Sequence, residues 1–320
     1  MKILITGIDG FLGRHISRVL AEQGHQLFGF SNVPGATGPF EFAHVDLRSG
    51  PEVLGAFEKF KPELCIHLAA MAHADVGPEQ EAKVREVNVN GALKVFDACE
   101  VFGCKKAIFF SSAKVLADTT TAEDLDENDE PRPEGVYATL KREVELALLR
   151  RCEAGRLEAA IVRPVAVIGA GDTKGNYAKM IKLVRKGIFP LLDGGEARRS
   201  IVFAERIAQR VSIMVEKGLV SGRVYVFSDG TFSVREIVDA IRTSTGFAFC
   251  PSIPTGPLRR IGPLLDTLAA RLKPGIAPFE NNMKRLTSSF VVNGRSFMED
   301  YGALPKIDLL WEMRNASRIG

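Results

Sequence analysis

Residues 2–14, KILITGIDGFLGR, decide the fold, and they read as three consecutive parts. Lys2 to Thr6 is a short apolar run of the kind that makes a buried strand. Gly7, Gly10 and Gly13 then make a turn, and from Phe11 to Glu22 the residues Leu12, Ile16, Val19 and Leu20 recur at helical spacing. Strand, glycine turn and helix together have the shape of an anion site. Glycines let the backbone turn and be approached closely, and the helix start presents free N–H groups and the positive end of a dipole. The guest this predicts is a dinucleotide pyrophosphate, although the GxxGxxG spacing is one residue longer than the usual GxGxxG fingerprint. A motif this close to the first residue leaves no room for a leader segment, so the expected location is the cytoplasm.

Working outward, strand-like and helix-like segments alternate. Gln26–Phe30 and Glu41–Val45 read as strands, Pro51–Phe60 as a helix and Leu64–Leu68 as a strand. A long helical pattern covers 80–102, Lys106–Ser111 is another strand, and 135–152 is another helix. This alternation predicts a parallel sheet covered by helices on both faces. In such folds an acidic residue roughly 20 positions beyond the glycines takes the ribose hydroxyls. Here Ser31-Asn32 holds that place, so no carboxylate repels a 2′-phosphate, and Arg14 is positioned either to pair with one or to be a solvated helix residue. The reading therefore tilts toward NADP(H) over NAD(H). Ala69 and Ala70, directly after a buried strand, suit either a flat cofactor or a tight chain crossing.

Chemistry concentrates where the fifth strand ends. Ser111-Ser112 closes that strand, and Tyr137-Ala138-Thr139-Leu140-Lys141 opens the next long helix. The four-residue spacing puts Tyr137 and Lys141 on one helical face. A nearby ammonium favours the phenolate, so Lys141 is expected to lower the Tyr137 pKa. Further on, Arg198-Arg199 after a tight turn suits either a diphosphate or a solvated surface.

With a net charge of +3 and 25% charged residues, the composition argues for no nucleic-acid partner, and 46% hydrophobic content is ordinary for a globular chain of 320 residues. No apolar run is long enough to insert in a bilayer. The five cysteines are scattered without CxxC pairing, and no His, Cys or carboxylate cluster suggests a metal; His67 and His73 read as structural or solvent-facing. The segment Cys250–Pro278 carries an amphipathic patch at Leu264, Leu265, Leu268, Ala269 and Leu272, either part of a variable lobe or an interfacial helix.

Taken together, TGIDGFLG, Asp46-Leu47, IHLAA at 66–70, VNVNG at 87–91, FFSSAKV at 109–115, YATLK at 137–141 and IVRPVAVIGAG at 161–171 resemble the extended short-chain dehydrogenase/reductases. These are NAD(P)-dependent nucleotide-sugar epimerases, dehydratases and 4-ketoreductases. The resemblance implies a Rossmann-type α/β fold, a doubly wound parallel sheet with a smaller C-terminal substrate-binding lobe. Residues 1–163 and a returning segment near 201–229 would form the dinucleotide domain, and 164–200 with 230–320 the lobe. It implies that Ser112, Tyr137 and Lys141 form the catalytic set, with Tyr137 transferring the proton and Lys141 also holding the nicotinamide ribose. It places Gly7, Gly10, Phe11, Leu12, Gly13, Arg14 and Ser31 on the cofactor, with Asp46 on the adenine. Leu47, Leu68, Ala69, Ala70, Asn88, Ser111, Pro164 and Val165 would line the rest of it. Ser112 would bind the reacting sugar oxygen, Asn176, Arg199 and, on a looser match, Arg285 would bind the substrate's nucleotide diphosphate, and the helices at 80–102 and 135–152 would pair in a homodimer.

Within that family SSAKVL at 111–116, GNYAKMIKLV, ARRSIVF and LTSSFVVNGRSFMEDYG look like the bacterial branch acting on UDP-N-acetylhexosamines. The function this implies is reduction of a UDP-4-keto-6-deoxy-N-acetylhexosamine for surface polysaccharide. The alternatives are a UDP-sugar 4-epimerase with tightly held NAD and, in another class, a non-catalytic NADP-sensing protein. Two departures stand out: Ala117 replaces a glycine, and Glu205 stands where aspartate or asparagine is common.

Overall fold

The computed structural model describes residues 1–31, 40–71, 78–121, 123–173, 175–246, 250–258, 283–284 and 286–316. In chain order the first half runs β1 (Lys2–Thr6), α1 (Phe11–Glu22), β2 (Gln26–Ser31), β3 (Glu41–His44), α2 (Gly50–Phe60), β4 (Leu64–His67), α3 (Pro78–Arg85), α4 (Ala92–Val101), β5 (Lys106–Phe110), β6 (Asp124–Asp126), α5 (Gly135–Glu153) and β7 (Glu158–Pro164). The second half runs β8 (Ala166–Ile168), α6 (Asn176–Arg185), β9 (Leu191–Leu192), β10 (Arg198–Phe203), α7 (Ala204–Lys217), β11 (Val224–Phe227), β12 (Gly230–Ser233), α8 (Val234–Thr245), β13 (Ser252–Ile253), β14 (Val291–Asn293), α9 (Ser296–Tyr301) and α10 (Leu309–Ala316).

Among the described residues the main sheet has seven strands in the order β11-β7-β5-β4-β1-β2-β3, each pairing parallel. Alternate side chains along each strand enter opposite cores. Ile3, Ile5, Leu64, Ile66 and Ile108 pack against Ile16 and Leu20 of α1 and Ile207, Val211 and Met214 of α7. Leu4, Phe28, Cys65, Ala107 and Phe109 face Val53 and Phe57 of α2, Phe96 of α4 and Val144 and Leu148 of α5. Both faces are thus closed, and the strand order reverses between β1 and β4, which is the Rossmann-type arrangement expected.

A third core belongs to the second half of the chain. Ile168, Tyr177, Ile181, Ile201, Phe203, Ile237 and Ile241 pack with Met313. Above it β10 pairs parallel with β8 and antiparallel with β12, while β11 returns to the main sheet beside β7. The capping box of α8, with Ser233 and Glu236 exchanging backbone bonds, fixes where that helix starts.

The expected helix over 80–102 is found as one helical run, α3 to α4, widened by a π-helical turn at Glu86–Gly91. Gly91 packs on Leu47, and a Cβ there would lie 2.9 Å from the Leu47 side chain. The amphipathic patch at 264–272 lies outside the described residues. Among those residues no helix is long and apolar enough to cross a membrane. The five cysteines are free, with Cys65, Cys99 and Cys104 buried.

Candidate active site

The glycine turn sits at the crossing point between β1 and β4. Gly7 has φ +72° and donates its N–H to the Phe30 carbonyl (3.0 Å), tying the turn to β2. A Cβ at Gly7 would lie 3.1 Å from the Ala69 backbone. At Gly13 it would fall 2.3 Å from the Gly7 carbonyl oxygen, a distance no side chain tolerates. These glycines therefore keep the backbone close-packed around the start of α1. Gly10 caps that helix without a side-chain bond, and no acidic residue stands in the first turn, so its N–H groups are offered to an anion. Across the crossing, Thr6 Oγ1 accepts from Ala69 N (3.2 Å) and fixes the Ala69-Ala70 exit of β4. Leu68 donates to the Thr6 carbonyl (3.2 Å). A backbone cradle, an open helix start and small residues opposite it fit a dinucleotide.

At the edge of this cradle the structure alters the cofactor reading. Ser31, the last residue of β2, is buried and donates its hydroxyl to Asp9 Oδ2 at 2.9 Å. A carboxylate therefore does stand at the end of β2, supplied by the glycine turn and not by the strand. Arg14 is exposed, and its Nε donates to the Asp9 backbone carbonyl (2.8 Å). The tilt toward NADP(H), which rested on a missing carboxylate, loses its physical basis. Asn32 lies outside the described residues.

Two other expected cofactor residues are engaged with the protein. Arg48 grips both carboxylate oxygens of Asp46 (3.0, 3.0 and 2.6 Å), and this pair holds the Asp46 carboxyl down to about 2. Asn88, buried in the π-helical turn, takes Met71 N (2.7 Å) and donates to Met71 O (3.1 Å), bracing the segment after Ala70. Leu47 is buried beneath, and Val165 follows Pro164 at the end of β7, bonded to the Phe227 carbonyl.

The catalytic candidates come together at the carboxyl end of β5. Ser111 is buried, and its Oγ has no hydrogen-bond partner among the described residues, so it is available to a ligand. Ser112 is half-buried and takes the N–H of Lys114 on its Oγ (3.3 Å). From α5, Lys141 reaches down to donate to the carbonyl of Phe110, two residues before Ser112 (2.7 Å). Its Nζ lies 4.8 Å from the Phe109 ring centroid and 6.0 Å from that of Tyr137. The lysine is 3% exposed, and burial pulls its pKa down to about 8, with Glu145 one turn on opposing the shift. The expected lowering of Tyr137 is not found: burial pushes the phenol up to about 12. Desolvation outweighs an ammonium that points past the ring to a backbone oxygen.

Sequence reasoning missed the ion pair beneath this set. Glu145, fully buried, receives Arg163 Nε (2.9 Å) and NH2 (2.7 Å) and also Arg142 (3.1 Å). Its spacing of four from Lys141 was the available signal. His67 is likewise interior: its ring packs on Phe96 and Phe109, Nδ1 meets Thr6 Oγ1 (2.8 Å), and burial followed by the Lys141 charge takes its pKa to about 3. His73 lies outside the described residues.

On the far side, Asn176 is exposed at the first position of α6, and Arg199 is half-buried on β10. Arg199 donates to the carbonyls of Ser288 and Arg198. Burial lowers its pKa, and Tyr177, next to Asn176, is near enough to oppose that shift. Arg285 lies outside the described residues.

Comparison with known proteins matches this architecture. Residues 3–227 match the model of the NAD dependent epimerase/dehydratase family. The chain is 29% identical over 239 residues to a UDP-glucose 4-epimerase of Vibrio cholerae, covering 72% of this chain and 71% of that one. Among solved structures it is similar to the UDP-glucose 4-epimerase of Thermotoga maritima with UDP-glucose (TM-score 0.79, 20% identity, 99% and 97% of the two chains). It is also similar to that of Thermus thermophilus in complex with NAD (TM-score 0.76, 23% identity, 99% and 98%).

Proposed function

The chain belongs to the NAD-dependent epimerase/dehydratase family, and from that premise we propose that it acts at carbon 4 of a UDP-sugar by reversible hydride transfer, with Tyr137 as the proton carrier. The observation that carries this reading is the meeting of α5 with the end of β5, where the Lys141–Phe110 bond sets Tyr137 and Lys141 beside Ser111-Ser112. Bound NAD supplies the acceptor and donor of the hydride. Ser112 holds the reacting sugar oxygen by hydrogen bonding as charge develops on it. Tyr137, as the phenolate, takes the proton from that oxygen and as the phenol returns it, and Lys141, mostly charged at neutral pH with a pKa of about 8, favours the phenolate needed before the transfer and restored after it. Asn176 and Arg199 face the diphosphate, in the substrate lobe of 164–200 and 230–320. The exposed apolar residues Val101 of α4 and Leu146 of α5 suit a homodimer.

Epimerisation and net reduction of a 4-keto sugar differ in what happens to the cofactor: the first returns it unchanged, the second consumes it. A carboxylate at the end of β2 favours NAD and with it the epimerase reading. The test is incubation with UDP-glucose and UDP-N-acetylglucosamine, followed by NMR of the carbon-4 configuration. Interconversion without added reductant is expected, falling about 10²–10⁴-fold in Tyr137→Phe while NAD binding is kept. Consumption of NADH or NADPH with a 4-keto sugar, and no interconversion, would replace it with the reductase.

A further inference from the structure

We infer that Asp9, inside the glycine turn, is the residue that selects NAD over NADP in this protein. The inference rests on the dinucleotide reading above and concerns one end of that site. In dinucleotide folds the selecting carboxylate stands at the end of the second strand, where it accepts the ribose hydroxyls. Here the last residue of that strand is Ser31, which cannot carry the charge. Its buried hydroxyl instead donates to Asp9 Oδ2 at 2.9 Å, which anchors a half-buried carboxylate at the strand end from the opposite wall of the turn. The anchoring bond occupies one oxygen of Asp9 and leaves the other to accept a 2′-hydroxyl. A 2′-phosphate carries roughly two negative charges at neutral pH and would meet this carboxylate directly.

Among the described residues at this end of the site, Arg14 argues the other way. Its Nε is committed to the Asp9 backbone carbonyl (2.8 Å), and any attraction it exerts on a phosphate is offset by the carboxylate of the same residue. Asp9 therefore does with a turn residue what related folds do with a strand-end residue.

The experiment is calorimetric titration of the cofactor-free protein with NAD⁺ and NADP⁺, for the wild type, Asp9→Asn and Asp9→Ala. Asparagine keeps the shape and the acceptor for Ser31 while removing the charge, so a loss of fold is not confused with a loss of selection; alanine removes both. The wild type is expected to bind NAD⁺ at least about tenfold tighter than NADP⁺, a difference of about 1.4 kcal/mol. The ratio should shrink by about tenfold or more in both variants, mainly because NADP⁺ tightens. Equal binding of the two cofactors by the wild type, or a ratio unchanged in Asp9→Asn, would overturn the assignment while leaving the dinucleotide site standing. A wild type that binds neither cofactor would overturn the dinucleotide reading itself.

Discussion

At the carboxyl ends of β1, β4 and β5 the candidate groups are held by their own immediate surroundings. Gly7 is bonded to β2, Ala69 to Thr6, and Lys141 to the strand beneath it. Arg199, on the other side, is held to the carbonyl of Ser288, 89 residues away, in a lobe whose strands are two to six residues long. The first side is rigid because it is the edge of a doubly covered sheet, and its groups carry shifted pKa values because that sheet desolvates them. The second side is assembled late in the chain and keeps its polar groups partly in water. Under the proposed function, the first side would fix the cofactor and the second would fit the sugar nucleotide.

The strongest way to break this contrast is at Glu145. Its removal in Glu145→Ala leaves Arg163, 3% exposed, without its carboxylate partner and strips Lys141 of the Glu145 charge that supports its ammonium. A loss of about 3–5 kcal/mol is expected, measured by the urea midpoint at constant slope. A loss below about 1 kcal/mol would mean that the cofactor side is not the rigid one.

How much of this was legible in the sequence follows the same division. The order of strands and helices up to α5, the three-residue β6 apart, could be read because the apolar spacing marks the elements, and Gly7, Gly10 and Gly13 advertise the turn. Asp9 could not be read as the strand-end carboxylate, because the rule looks along the chain and the contact crosses from the glycine turn to the end of β2. The Tyr137 pKa went the wrong way for a related reason: spacing shows that Lys141 shares its helical face, but not that Nζ is drawn to the Phe110 carbonyl. The partners of Arg199 are set by tertiary packing of a distant segment, which no local pattern encodes.

The second prediction sharpens the substrate side. Arg199→Ala is expected to weaken UDP-sugar binding by about 10–100-fold, equivalent to about 1.4–2.8 kcal/mol, with NAD binding unchanged. Titration with UDP in the presence and absence of NAD separates the two effects. Equal weakening of both ligands would show that the two sides are one coupled unit.

The smallest effect is expected at the seam between them. Glu205 opens α7 directly after β10 and reaches back to α1, where it meets His15 Nδ1 (3.2 Å) and Arg18. His15 in turn donates Nε2–H to the Ala170 carbonyl (2.9 Å), so a single acidic side chain ties the first helix to the exit of β8. The hydrogen bonds from His15 and then Arg18, working against burial, hold the Glu205 carboxyl down to about 2. An aspartate here would be one methylene short of bridging both. Because the folded-state pKa lies below the usual 4.5, the contribution is fully present above pH 4.5 and is lost as the pH falls toward 2. The group is more than a third exposed, so solvent screening limits its worth to under about 1 kcal/mol. Glu205→Gln should therefore lower stability at pH 7 by that small amount, and the gap from wild type should narrow at pH values below 4.5, read from urea midpoints at both. A gap that stays constant across this range would mean that the seam is held by packing of α1 on α7 and not by the ion pair.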